Sequence, residues 1–142
     1  MSDGPICPSG DDVLHHVIYA QHGTIPFGWH VYVLKDLSAL RRVRIEAGGH
    51  DGVEAYAWTS MANEPQDGCI GAMYFVQGWT YVGMVAHECT HLASWICRFL
   101  DTPRRMTLGR EPEKLAEIVG ELTSVTWYNL TADGMATVDA DV

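Results

Sequence analysis

A five-residue stretch, His87-Glu88-Cys89-Thr90-His91, constrains this chain more than any other part of its sequence. Apart from the two histidines, Glu88 is the only acidic or basic residue between Met84 and Ile96, so the surrounding sequence predicts a largely buried helix. Residues four apart share one face of a helix, which places His87 and His91 side by side next to Glu88. An unpaired carboxylate in apolar surroundings is costly, and a bound cation would offset that cost. The stretch therefore predicts a metal site on a buried helix, in the HExxH arrangement of zinc-dependent hydrolases.

The composition fits one domain over residues 1–142. A chain of 142 residues with 47% hydrophobic residues can bury a substantial core. The net charge of −9 argues against a nucleic-acid partner, since phosphate binding needs clustered basic side chains. No window has the composition of a secretory signal or a membrane span, so we expect a cytoplasmic protein without a membrane partner. The four cysteines are expected to be free thiols, because their spacing shows no disulfide or CxxC pattern.

The periodicity of the sequence predicts an α+β fold. We expect a loose leader over residues 1–10 and an acidic, frayed tail over residues 132–142. The predicted elements, in chain order, are a short helix at 11–21, a strand at 29–34, a helical turn or two at 35–42, strands at 53–59 and Cys69–Val76, the motif helix from an N-cap at Thr80 to about Leu100, a loop at 103–110 and a last helix from Glu111 to about Leu130. No repeat or linker indicates a second domain.

The last helix offers candidates for a third metal ligand, because zinc hydrolases usually use three protein ligands and a water. Glu113, Glu117 and Glu121 follow one another at four-residue steps. Like charges at that spacing repel each other, and a cation at the same face would reverse the sign. Glu113 lies in the first turn, where the helix dipole already favours an exposed acid. Glu117 and Glu121 lie deeper among apolar residues and are the better candidates.

With these motifs together, the chain resembles the gluzincin zinc peptidases, especially the minimal forms found in phages, prophages and ImmA/IrrE-type proteins. The resemblance covers about residues 69–130. It implies a zincin-like fold in which a small antiparallel or mixed sheet packs on the HExxH helix and a C-terminal Glu-bearing helix. It also implies zinc bound by His87, His91 and Glu117, with Glu121 orienting a ligand histidine. The roles of Glu117 and Glu121 could be exchanged.

The same resemblance implies a mechanism and a substrate class. A zinc-dependent metallopeptidase hydrolyses a peptide bond by attack of a zinc-bound water, with Glu88 as general base and then general acid. The family pattern implies a protein or peptide substrate that pairs with the strand Cys69–Val76, taken as an edge strand. Tyr128, on the Glu face of the last helix, is the first candidate to stabilise the oxyanion, and His50 is the second.

Other zinc chemistries fit the sequence less well. The metzincin pattern requires a glycine and a third histidine where Ser94 and Cys97 stand. A deformylase-like amidohydrolase is a closer alternative, because Gly68-Cys69-Ile70 and His91-Leu92 match its ligand segments and would make Cys69 the third ligand. No counterpart of the deformylase glycine-rich Gln motif is present. A zinc-containing interaction module without catalysis is a third possibility, although such a module does not require Glu88.

Overall fold

The computed structural model describes residues 6–48, 55–100 and 111–137, and the structural statements below concern those residues. A single turn of 3-10 helix, Gly10–Asp12, precedes the first strand. The strands are β1 (Val13–Tyr19), β2 (Gly28–Leu34), β3 (Ala57–Gln66) and β4 (Cys69–Val76), and the helices are α1 (Leu37–Glu46), α2 (Val82–Leu100) and α3 (Glu111–Ala132). The predicted loop at 103–110 lies outside the described residues.

The four strands form one mixed sheet in the order β1-β2-β4-β3. β2 and β4 run parallel, whereas β1 pairs with β2 and β3 pairs with β4 in antiparallel fashion. This confirms the α+β class and the mixed sheet. β4 is an inner strand, and all eight of its residues are buried. β1 and β3 are therefore the two edges of the described sheet.

The helices cover both faces of the sheet. α2 and α3 cover one face, and the large core there contains side chains from the strands and from both helices, including Trp29, Phe75, Leu92 and Leu122. α1 covers the opposite face, where Leu40 and Val43 pack against Tyr74 and Val76. The sheet thus separates two apolar layers, and the helix that carries the HExxH motif belongs to the larger one.

Several predicted elements are confirmed. β4 has the predicted bounds, β2 differs from its prediction by one residue, and α3 begins at Glu111 as expected. α1 begins later and is longer than predicted, because the Asp36 carboxylate caps it by accepting a hydrogen bond from the Ala39 amide at 2.9 Å. The predicted N-cap of α2 is wrong by one position: α2 begins at Val82, and the Thr80 hydroxyl donates to the Val76 carbonyl instead.

The predicted helix at residues 11–21 is wrong, since most of that segment is strand β1. Its side chains alternate between partly buried and exposed positions along the strand, the two-residue period of an edge strand. β-branched Val17 and Ile18 favour this geometry. Asp12 does not cap a helix, because its carboxylate accepts hydrogen bonds from the Arg42 guanidinium at 2.8 and 3.2 Å. Those bonds lower the pKa of Asp12, against an opposing effect of burial.

The other corrections concern boundaries. The strand predicted at 53–59 begins at Ala57 and continues to Gln66, while residues 53 and 54 lie outside the described part. Within the predicted leader, the Tyr74 hydroxyl donates to the Ile6 carbonyl, and residues 1–5 lie outside the described part. In the predicted tail, the Thr137 amide donates to the Thr80 carbonyl at 2.8 Å, and residues 138–142 lie outside the described part. Within the described ranges, no helix is long and apolar enough to cross a membrane.

Candidate metal site on helix α2

His87 and His91 lie together on the outer side of α2. Their ring centroids are 4.9 Å apart and the ring planes are inclined by 74°. The His87 side chain is 65% exposed, and His91 is exposed as well. The four-residue spacing on a helix produces this neighbourhood, as the sequence predicted. Two imidazoles on one exposed face can both reach a single metal ion.

Glu88 has a different environment from the histidines on either side of it. Only 5% of the residue is exposed, and its carboxylate lies between α2 and strand β3. The Thr59 hydroxyl donates to Oε1 of Glu88 at 2.5 Å, and Oε2 lies 4.0 Å from Nε2 of His87. The carboxylate is therefore buried but adjacent to the histidine pair, which is where a general base for a metal-assisted reaction must lie.

The opposite flank of α2 carries Cys89 and packs against α3. The Cys89 thiol lies beside Thr123 and Thr126 of α3, and burial raises its pKa to about 12. Because successive helical residues are rotated by about 100°, Cys89 lies about 160° around the axis from both His87 and His91. The helix α3 therefore packs on the side of α2 that faces away from the histidines.

This packing explains where the candidate ligands of α3 lie. Glu117 is exposed, and within the described residues it does not join His87 and His91 in a group that could hold a metal ion. Glu121 reaches the turn between β1 and β2 instead: its carboxylate accepts a hydrogen bond from the Thr24 hydroxyl at 2.8 Å and lies 3.3 Å from Nδ1 of His22. Although burial alone would raise the pKa of Glu121, the hydrogen bonds from Thr24 and His22 hold it below its ordinary value.

Gly23 makes this contact of Glu121 possible. Its φ of 56° lies in the left-handed region, and a Cβ atom at this position would fall 1.5 Å from Oε2 of Glu121. The carboxylate therefore seats against a residue without a side chain. The sequence signal for this contact is the glycine in the His22-Gly23-Thr24 turn. This glycine predicts a turn but does not predict that α3 contacts it.

Tyr128, the first candidate for the oxyanion stabiliser, does not join the histidine pair. Tyr128 is 71% exposed on α3 and borders a cavity of about 600 Å³ between α3 and the chain segment at 19–22. This cavity lies on the α3 side of the molecule. His50 lies outside the described residues.

Cys69, the ligand of the deformylase-like alternative, lies at the start of β4. Its Sγ atom packs against Gly28, where an added Cβ would be 3.1 Å away, and it borders a smaller cavity together with Ile18 and Pro26. Burial raises the pKa of the Cys69 thiol, and Asp67 adds to the effect. In the part of the chain that the structure describes, Cys69 belongs to no group of three or more His, Cys, Asp or Glu side chains that could hold a metal ion. The structure gives this alternative no support.

The described residues supply part of a zinc ligand set. His87 and His91 fit two of the three protein positions that a hydrolytic zinc site usually has. In the described part of the chain, no group of three or more His, Cys, Asp or Glu side chains is arranged to hold a metal ion. The third ligand therefore stays a prediction from the sequence.

Thr59 is a site residue that the sequence analysis missed. It sits at the end of the strand predicted at 53–59, and the only signal for it is a polar residue at an inward position of that strand. Comparison of the chain with protein-family models, with curated proteins and with solved structures finds no match.

Proposed function

We propose that this protein is a zinc-dependent metallopeptidase of the zincin-like type. The observation that carries the proposal is the arrangement on α2, where two exposed histidines share one face and a buried carboxylate lies directly beside them. Burying the Glu88 carboxylate costs free energy that the single hydrogen bond from Thr59 offsets in part, and a cation held by the two histidines would offset more of it. The sequence resemblance to gluzincins points the same way.

Zinc in this proposal is held by His87 and His91, with Glu117 as the third ligand. When bound, zinc supplies an activated water and polarises the substrate carbonyl. Because α3 packs on the far flank of α2, binding through Glu117 requires the N-terminal half of α3 to turn toward the histidines. The apolar residues that pack α3 on α2 at this level, such as Ile118, are buried.

Glu88 carries the proton transfers. Its carboxylate accepts the proton that the attacking water loses, and the same proton passes to the nitrogen of the amine as the C–N bond breaks. The position of the carboxylate, buried against β3 with one oxygen directed toward His87, keeps it next to the histidine face. Burial also excludes bulk water from one side of the group, which strengthens its electrostatic interactions.

The substrate strand pairs with β3 in this proposal. The strand Cys69–Val76, which the resemblance suggested as the edge, cannot accept it because both of its sides are already bonded to β2 and β3. β3 is the edge beside α2, and Thr59 connects it directly to Glu88. A peptide added to the outer side of β3 would pass close to the histidine pair, with main-chain hydrogen bonds supplying the affinity.

The experiment that tests the function is hydrolysis of fluorescein-labelled casein by the purified full chain. We expect activity that a chelator such as 1,10-phenanthroline removes and that added zinc restores, while the chelator leaves the fold intact by circular dichroism. Labelled peptides released at the same rate with and without the chelator would contradict a zinc-dependent reaction. Zinc-loaded protein that releases no peptides from casein or from a random peptide library would contradict the peptidase proposal.

A further inference from the structure

We infer that Thr59 is a positioning residue that fixes Glu88 for proton transfer and selects which carboxylate oxygen acts as the base. The inference rests on the proposed function and adds a residue to its machinery. Thr59 belongs to a different element from the HExxH motif, and it contacts Glu88 across the interface between β3 and α2. The role is therefore one that the motif alone does not contain.

The hydrogen-bond geometry assigns different tasks to the two oxygens of Glu88. A threonine hydroxyl has a single proton to donate. The Thr59 oxygen is 2.5 Å from Oε1 and 3.4 Å from the main-chain carbonyl of the same residue, so the proton is directed to Oε1. Oε2 lies toward His87, 4.0 Å from its Nε2 atom. Because Oε1 accepts the bond from Thr59 and Oε2 faces the histidine, Oε2 is the oxygen placed to accept the proton from water.

The position of Thr59 is set by the pairing of its strand and by the contact of that strand with α2. Thr59 is 9% exposed and pairs with Met73 of the inner strand β4. A second contact ties the same strand to α2, since the Trp95 indole donates to the Ala62 carbonyl at 2.6 Å. Thr59 and Ala62 are three positions apart on the strand, which corresponds to about 10 Å. Glu88 and Trp95 are seven positions apart on the helix, which also corresponds to about 10 Å. β3 and α2 therefore run side by side between these two contacts. The backbone therefore sets the direction in which Thr59 donates.

Substitution at Thr59 separates positioning from packing. Thr59→Val keeps the branched shape and removes the donor, whereas Thr59→Ser keeps the donor and removes a methyl group. Thr126→Val is the matched control, because Thr126 is also buried against α2 but on the Cys89 flank. Each variant is prepared in the full chain, and its zinc content and its steady-state hydrolysis of labelled casein are measured.

We expect Thr59→Val to lower kcat by about 10-fold or more with KM changed less than about 2-fold, because misplacing a catalytic group affects the transition state more than binding. Zinc content should not change. Thr59→Ser should restore kcat to within about 3-fold of the original, and Thr126→Val should leave kcat unchanged. In the Glu88→Gln background, Thr59→Val should cause no further loss, since Thr59 acts through Glu88.

A readout without turnover completes the test. In zinc-free protein, the shifts in denaturation midpoint caused by Thr59→Val and Glu88→Ala should be non-additive, because the two residues share one hydrogen bond. Additive shifts, or an unchanged kcat in Thr59→Val, would overturn the inference and leave the peptidase proposal standing. Loss of zinc in Thr59→Val would also overturn it, since a positioning residue for the base is not a metal-site residue. A wild-type protein that shows no zinc-dependent hydrolysis would overturn both.

Discussion

Helices α2 and α3 both present acidic residues in predominantly apolar sequence, yet they use them in opposite ways. On α2, Glu88 turns inward and bonds to Thr59 of the neighbouring strand. On α3, Glu117 is exposed, and Glu121 reaches outward to the turn that contains His22 and Thr24. Helix α2 thus buries a carboxylate next to two histidines, whereas a carboxylate of α3 binds the turn between β1 and β2.

The difference shows what a four-residue spacing can and cannot establish. The spacing of residues determines which of them share a face of one helix, and the predicted proximity of His87 and His91 is confirmed. It does not determine which way that face turns relative to another helix. Because α3 packs on the Cys89 flank of α2, its acidic residues lie away from the histidines. Substitutions on the two helices should therefore have different effects.

Glu88→Gln should abolish most of the hydrolysis while leaving zinc in place. Glutamine keeps the shape of the side chain and can still accept a hydrogen bond from Thr59, but it cannot take up a proton. The loss of a general base typically lowers the rate by about 10²–10⁴-fold. Steady-state hydrolysis of labelled casein and metal analysis of the same sample test this. Unchanged turnover would remove Glu88 from the mechanism, and an inactive wild type that retains zinc would favour a non-catalytic zinc module.

Leu122→Ala should destabilise the chain strongly without affecting the histidine pair directly. Leu122 is fully buried in the core beneath α2 and α3. Replacement of a buried leucine by alanine typically costs about 2–5 kcal/mol, since it removes apolar contacts and leaves a cavity. Urea denaturation followed by tryptophan fluorescence measures the loss. A change below about 1 kcal/mol would show that α3 does not pack on α2 as described.

Glu117→Ala should weaken zinc binding, whereas Glu121→Ala should leave it nearly unchanged. If Glu117 is a ligand, the weakening should exceed the roughly 10–100-fold that loss of a partner outside the coordination sphere causes. Glu121 already bonds to Thr24 and His22, which lie on the α3 side of the molecule. Competition with a chromophoric zinc chelator measures both affinities. Loss of zinc only in Glu121→Ala would exchange the two roles, and retention in both would place the third ligand elsewhere in the chain.

Glu121→Gln should produce a modest, pH-dependent loss of stability. Its hydrogen bonds to the β1–β2 turn are worth about 1 kcal/mol at neutral pH. The pKa of Glu121 is lowered in the folded protein from its ordinary value of 4.5, so the carboxylate contributes stability above that pH and loses it as the pH falls further. The difference in unfolding free energy between wild type and Glu121→Gln should therefore shrink below about pH 4.5. A difference that does not vary between pH 3 and pH 7 would contradict this account.

The sequence predicted the central elements of the fold well because their signals are local. The buried run Cys69–Val76 and the apolar helix around His87 each carry their own periodicity, and both form where expected. The helix predicted at residues 11–21 is wrong, because an Asp-Asp pair before an apolar segment resembles a helix start although the segment forms strand β1. In the folded chain Asp12 is held by Arg42, thirty positions away, a contact that no local pattern reveals.

The candidate site shows the same difference between residues on one element and contacts between elements. His87, Glu88 and His91 are close together because one helix carries all three. Thr59 comes from a strand that precedes the motif helix, and its contact with Glu88 depends on where β3 pairs in the sheet. The position of α3 depends on how Ile118 and Leu122 pack against α2, and this tertiary packing cannot be read from the spacing of the acidic residues. Contacts between elements, rather than within them, were the part that the sequence did not predict.

The most direct test of the metal site on α2 is the zinc content of the purified protein, measured by inductively coupled plasma mass spectrometry for wild type, His87→Ala, His91→Ala and His22→Ala. His22 is the matched control, because it is an exposed histidine whose side chain faces Glu121 of α3. We predict about one zinc ion per wild-type chain, loss of that zinc in both α2 variants and full retention in His22→Ala. A wild-type chain without zinc, or equal zinc in all four proteins, would contradict the assignment of His87 and His91 as metal ligands.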